Sequence, residues 1–199
     1  MSATPTRILS VNTASVRLVD IQGRRVATAI HKQPQPQAVE IGPLGLQGDE
    51  QADPSVHGGL AKAVYAYPSE HLAFWRTVRA QARVAGWDAE VPPGLMGENL
   101  TLSGLTERHV WIGDELHLPS GAVLVVTEPR QPCFKFNAAM GFAQASKMMV
   151  QSGYCGWYLG VRHPGAVRAG DEVRVVPGPR ELALPDLFRA KMSRRRQDD

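Results

Sequence analysis

Cysteine is scarce in this chain of 199 residues: only Cys133 and Cys155 occur. Two thiols make no disulfide framework. They are also too few for an iron–sulfur cluster, which takes about four thiolates. The sequence has no G-x-G-x-x-G and no G-x-x-x-x-G-K-[ST] run, so it carries no dinucleotide or P-loop fingerprint. It also lacks any apolar run near the roughly 18 residues that cross a bilayer. The opening Met1-Ser2-Ala3-Thr4-Pro5-Thr6-Arg7 has neither the basic start nor the apolar stretch of a secretory leader. A cytoplasmic protein without membrane contact is the expectation. Helix-turn-helix, zinc-finger and aromatic RNA-binding signatures are missing too, and no nucleic-acid partner is expected. The net charge of +3 is mild. Part of it lies in a cluster of Arg189, Lys191, Arg194, Arg195 and Arg196, which reads as a solvated terminus.

Glycine and proline are plentiful by contrast, at 19 and 15 residues, which predicts many turns and few long helices. Strand-like segments are read at residues 8–19 and 25–30 around Gly23, then at 62–67, 99–102, 109–112, 115–118, 122–127, 157–161 and 172–176. Pro68 opens a helix whose stripe is Leu72, Trp75, Val78 and Ala82, with Gly86 as its stop. Asn137 is read as the cap of a second helix running to about Val150. Strands and helices do not alternate regularly, which argues against a doubly wound parallel sheet. The expected fold is β-rich α+β, a β-barrel core with a few peripheral helices. Residues 1–179 are expected to form one domain, and 180–199 a short C-terminal helix with a basic tail.

Chemistry concentrates at Glu128-Pro129-Arg130-Gln131-Pro132-Cys133-Phe134-Lys135. The preceding apolar run reads as a buried strand, and the two prolines predict that it ends there in a turn. Arg130 and Lys135 flank the thiol, and cationic neighbours favour thiolate, the form that attacks electrophiles and binds metals. The competing reading is a small buried apolar residue, the usual fate of an isolated cysteine. Two further segments are polar and glycine-rich. Gly48 to Val64 contains His57-Gly58-Gly59 and Lys62, which offer hydrogen-bond donors and close backbone approach to an anion. Gly94-Leu95-Met96-Gly97-Glu98-Asn99-Leu100 offers Glu98 and Asn99 to a ligand amide or amine. Ordinary surface-loop and turn chemistry accounts for both segments equally simply.

Taken together and in order, these segments resemble the MOSC family, named for the C-terminal domain of molybdenum-cofactor sulfurase. The matching pieces are Gly48-Asp49, Asp53, His57-Gly58-Gly59, Lys62-Ala63-Val64, Tyr67-Pro68, His71, Trp75, Gly97-Glu98-Asn99-Leu100-Thr101, Gly104-Leu105, Ile112-Gly113-Asp114 and Pro129 to Lys135. They span roughly residues 40–177, and the likeness is to small stand-alone bacterial members linked to 6-hydroxylaminopurine resistance. The resemblance implies a barrel that binds a molybdopterin-type molybdenum cofactor, with Cys133 as metal ligand and catalytic residue. His57, Gly58, Lys62, Glu98, Asn99, Arg130 and Lys135 are the implied cofactor-binding residues. Lys62 and Arg130 are expected to matter more for cofactor retention than for stability. Cys155 matches no ligand position and reads as structural.

The implied activity is reduction of N-hydroxylated small molecules to amines. With no flavin, nicotinamide or cluster signature in the chain, electrons are expected from a separate reductase. A homodimer is a further expectation. The alternative function is a sulfur-carrier or cofactor-handling module in which Cys133 bears a persulfide or holds the cofactor for delivery.

Overall fold

The computed structural model describes residues 5–53 and 58–198. Its strands are, in chain order, β1 (Thr6–Thr13), β2 (Arg17–Ile21), β3 (Arg24–Thr28), β4 (Gln33–Pro34), β5 (Val39–Gly42), β6 (Gly45–Leu46), β7 (Val64–Pro68), β8 (Leu100–Ser103), β9 (Glu115–His117), β10 (Val123–Pro129), β11 (Trp157–His163), β12 (Gly165–Val167) and β13 (Glu172–Val176). The α-helices are α1 (Leu72–Gln81), α2 (Phe134–Met140), α3 (Ala145–Ser152) and α4 (Leu184–Asp198). Seven strands close into a barrel in the order β13-β9-β10-β11-β7-β8-β1, and β1 returns to β13 through the pairs Thr6–Val173 and Arg7–Glu172. All neighbours are antiparallel except β7 and β8. The expected β-barrel with peripheral helices is therefore the observed fold.

Two hydrophobic cores meet at the barrel wall, and strand alternation sorts residues between them. On β7, Val64 and Ala66 belong to the barrel interior, whereas Tyr65 and Tyr67 belong to the layer under the helices. On β11, Trp157 and Leu159 face in and Tyr158 faces out. Every residue of β7 is buried as a result. The outer core is filled by Trp75 of α1, Phe136 and Met140 of α2, Met149 of α3, and Phe188 and Met192 of α4. Trp75 Nε1 donates to Tyr67 Oη at 2.5 Å, so the buried indole has its partner.

Several elements differ from the sequence reading for local reasons. The first strand stops at Thr13 because carboxylates capture the next amides: Ala14 N donates to Asp49 Oδ1 and Val16 N to Glu50 Oε2. β2 and β3 then form the hairpin signalled by Gly23, with positive φ at both Gln22 and Gly23. β10 does end at the prolines as expected, with Pro129 as its last residue rather than Thr127. Pro129 pairs with Trp157 just after a register shift between Val126 and Glu128, the kind of irregularity where proline is tolerated. Residues 109–112 form no strand: a 3-10 turn covers Glu107–His109, and Trp111 makes a lone bridge to Ala183. The helix expected over 137–150 is two helices, broken at Gly141 with φ of 84°. Asn137 lies inside α2, yet its Oδ1 accepts from Ser146 N at 2.7 Å and so caps α3.

The segment after residue 180 is docked as far as Met192. Ile112 N donates to Leu182 O, Leu184 N donates to Val110 O, and Leu184, Phe188 and Met192 are buried. Among the described residues no helix is long and apolar enough to cross a membrane.

Candidate functional site

A cavity of about 100 Å³ opens where the 28–32 segment, the 49–53 loop, β7 and the start of α2 converge. Its described lining includes Cys133, Arg130, Lys135, Lys62 and Asn99, all singled out from the sequence. It also includes Lys32, Asp49, Tyr65, Gly97 and Tyr158. Gly58 and Glu98 are not among the lining residues. His57 lies outside the described residues.

Cys133 stands at the N-cap position of α2 in extended conformation. Its carbonyl accepts from Phe136 N at 3.0 Å and from Ser146 Oγ at 3.2 Å. Both α2 and α3 thus hold the backbone that presents the thiol, and the residue is only half-buried. Cys155, by contrast, is 1% exposed, and burial pushes its thiol well above the ordinary value. Its carbonyl accepts from Tyr65 Oη at 2.8 Å. The following Gly156 has φ of 62°, and a Cβ there would lie 2.4 Å from Ala66 O, so β11 can approach β7 only with glycine at this point. The structural reading of Cys155 fits this placement.

The cations differ in character. Arg130 is 4% exposed, with its guanidinium carbon 4.7 Å from the Phe136 ring centroid and 5.3 Å from that of Tyr65. It is a buried cation at the base of the cavity, held by aromatic faces. Lys135 Nζ donates to Ala27 O at 2.9 Å and ties α2 to the β2–β3 hairpin. Lys62 Nζ lies 3.6 Å from Glu128 Oε1 and 5.8 Å from the Tyr158 ring centroid. Lys32 was not expected. It lies in a short loop before Pro34, where nothing in the local pattern marks it. Its Nζ pairs with Asp49 Oδ1 at 2.5 Å, and both side chains are buried.

Asn99 and Glu98 serve mainly as frame. Asn99 Oδ1 accepts from Tyr65 N at 3.0 Å, and its Nδ2 donates to Asn12 O and Asp49 Oδ2. Its amide therefore joins β1, β7 and the 49–53 loop under the cavity floor. Glu98 is fully buried; Oε1 accepts from Gly94 N and Thr101 Oγ1, and Oε2 has no partner. Burial pushes its carboxyl upward, opposed by the Gly94 N–H. Tyr158 also titrates above its ordinary range, first through burial, with the Arg130 cation opposing. Tyr65 and Tyr158 were not singled out as site residues; the structure places both in the outer core, on β7 and β11, and on the cavity lining.

Among the described residues no group of three or more His, Cys, Asp or Glu could hold a bare metal ion. A single thiol suffices for a metal that arrives with most of its own ligands. The donor set fits such a group: one soft sulfur, with Arg130, Lys62 and Lys135 as cations for an anionic carrier, while the Lys32 charge is met by Asp49, and Glu50 and Asp53 also line the cavity.

This combination of a seven-stranded barrel and a thiol set among cations meets the comparisons with known proteins. The model of the MOSC domain matches residues 53–174, and the chain belongs to that family. Over 169 residues it is 36% identical to YflK of Bacillus subtilis (strain 168), covering 85% of this chain and 72% of that protein. It is 34% identical over 164 residues to a protein named reductase from Gibberella moniliformis (strain M3125 / FGSC 7600), covering 79% of this chain but only 27% of that one. Among solved structures, YiiM from Geobacillus stearothermophilus superposes with a TM-score of 0.75 at 29% identity, over 96% of this chain and 86% of that one.

Proposed function

We propose that the chain binds a molybdenum cofactor of the molybdopterin type and reduces N-hydroxylated compounds to amines, with electrons drawn from a separate reductase. The observation that carries the reading is the sharing of one cavity by the half-buried Cys133 thiol and the Arg130, Lys62, Lys135 and Lys32 cations. Membership of the MOSC family and the likeness to a protein named reductase support it.

When bound, the cofactor supplies a two-electron couple; with two protons it converts a hydroxylamine to an amine and water. The chain's own residues bind, orient and insulate. Cys133 Sγ holds the metal as thiolate, a soft ligand for a metal already bound to sulfur. Lys62 and Lys135, at the cavity edge, pair with the cofactor's phosphate through charge-assisted hydrogen bonds. Arg130 lies too deep for solvent and sets the positive potential beneath the thiol. Tyr158 keeps its phenolic proton at neutral pH and offers a donor on the cavity wall.

The test is molybdenum and pterin content per chain in protein made by a cofactor-competent host, followed by turnover of a hydroxylamine with reduced viologen. Stoichiometric cofactor with turnover supports the reading. Cofactor transfer or cyanide-labile sulfur without turnover overturns it in favour of the cofactor-handling alternative.

A further inference from the structure

Glu128 lies on β10 two residues before Arg130 and is not part of the cavity lining, yet its two carboxylate oxygens each touch a cation. Its Oε1 is 3.6 Å from Lys62 Nζ, on the cavity wall. Its Oε2 pairs with Lys191 Nζ, which comes from α4. The three side chains are 17%, 23% and 29% exposed for Glu128, Lys62 and Lys191, so solvent screens them only in part. α4 packs directly on β10, which carries Glu128, and its buried Leu184, Phe188 and Met192 fix where Lys191 falls.

The charge count gives the arrangement its meaning. One carboxylate faces two ammonium groups, so the cluster keeps a net positive charge beside the cavity. Without Lys191, Glu128 would neutralise Lys62 alone and the cavity would lose that charge. We propose that Lys191, on the C-terminal helix, sets the anion affinity of the cavity by sharing the Glu128 carboxylate with Lys62. Lys191 is a positioning residue: it acts through Glu128 and lines no part of the cavity. The inference rests on the reading that the cavity holds an anionic cofactor, and it names a determinant of that binding on the segment after residue 180.

The experiment is a double-mutant cycle on the full chain. Inorganic pyrophosphate binding to cofactor-free protein is measured by calorimetry across a salt series, beside pterin content after gel filtration. Lys191→Met keeps the aliphatic stem and removes the charge. It should weaken pyrophosphate binding about three- to five-fold at low salt, with the effect shrinking as salt rises. Lys191→Arg should bind like wild type. In a Glu128→Gln background, Lys191→Met should cost less than half as much, because no carboxylate remains to be diverted. A merely structural role for Lys191 would give the same loss in both backgrounds and at all salt concentrations, and that result overturns the proposal. So does a wild-type chain that binds no pyrophosphate. If the cycle is as expected but no pterin is ever retained, the relay stands and the cofactor reading falls.

Discussion

The Arg130 guanidinium lies over the Phe136 ring, its central carbon 4.7 Å from the centroid, at a site where Arg130 is almost wholly buried. This pairing changes what a substitution at Arg130 reports. Arg130→Ala removes a desolvated cation–π contact and leaves space between Tyr65 and Phe136. It should cost about 2–4 kcal/mol of stability as well as cofactor. Lys62→Ala, on a partly exposed side chain, should lose cofactor at little cost in stability. Urea midpoints read beside pterin content separate the two. Equal stability loss in both variants would contradict the buried setting of Arg130.

The two thiols should behave oppositely. Cys133→Ser should retain the fold but lose molybdenum and hydroxylamine turnover, since a hydroxyl is a poor soft-metal ligand and is not ionised near neutral pH. Cys155→Ser should keep turnover and lose about 1–3 kcal/mol through burial of a hydroxyl in a site shaped for sulfur. A thiol reagent applied to the native chain should label Cys133 first. Full activity in metal-loaded Cys133→Ser would sink the ligand assignment.

Glu98 makes stability depend on pH. Its folded carboxyl is pushed above the ordinary value by burial, so the native state holds the proton more tightly than the unfolded chain does. The associated stability is fully present below the unfolded carboxylate range of about 4.3 and is lost as pH rises through the raised folded value. Glu98→Gln keeps the Oε1 acceptor for Gly94 N and cannot ionise. The advantage of wild type over Glu98→Gln should therefore shrink steadily from about pH 4 upward. A difference that stays flat with pH would show that the carboxyl titrates normally.

What the sequence showed of this molecule followed from the range of each interaction. Glu172–Val176 was read with its observed ends because apolar alternation and the flanking Asp171 and Pro177 are local. The single helix through residue 150 was misread because Gly141 breaks it, and the Asn137 side chain caps the second piece from the middle of the first. The cluster of Cys133, Arg130 and Lys135 was legible because three reactive types fall within six residues. Lys32 was not, since it matters only through Asp49, seventeen positions on. Glu98 was singled out as well; its carboxyl accepts from Gly94 N at the 94–97 turn, a contact within the same segment, and it is not among the cavity's lining residues.

Electron supply gives the last test. The purified chain should not reduce a hydroxylamine with NADH or NADPH alone, because it carries no dinucleotide fingerprint and too few cysteines for a cluster. The same sample, loaded with cofactor, should turn over with reduced viologen. Steady NADH oxidation coupled to amine formation, with mass spectrometry showing no reductase in the sample, would reveal a nicotinamide site in this chain.

The Thr6–Val173 pairing has a consequence for how the protein is made. β1 leaves the ribosome well before β13, one of its two barrel neighbours. Until then β1 carries an open edge, and the circle of hydrogen bonds cannot be completed before residue 176 is free. Such long-range closure is slow and leaves strands open to misassociation meanwhile. The cavity, whose walls come from residues as far apart as Thr28 and Tyr158, cannot take shape before Tyr158 has emerged.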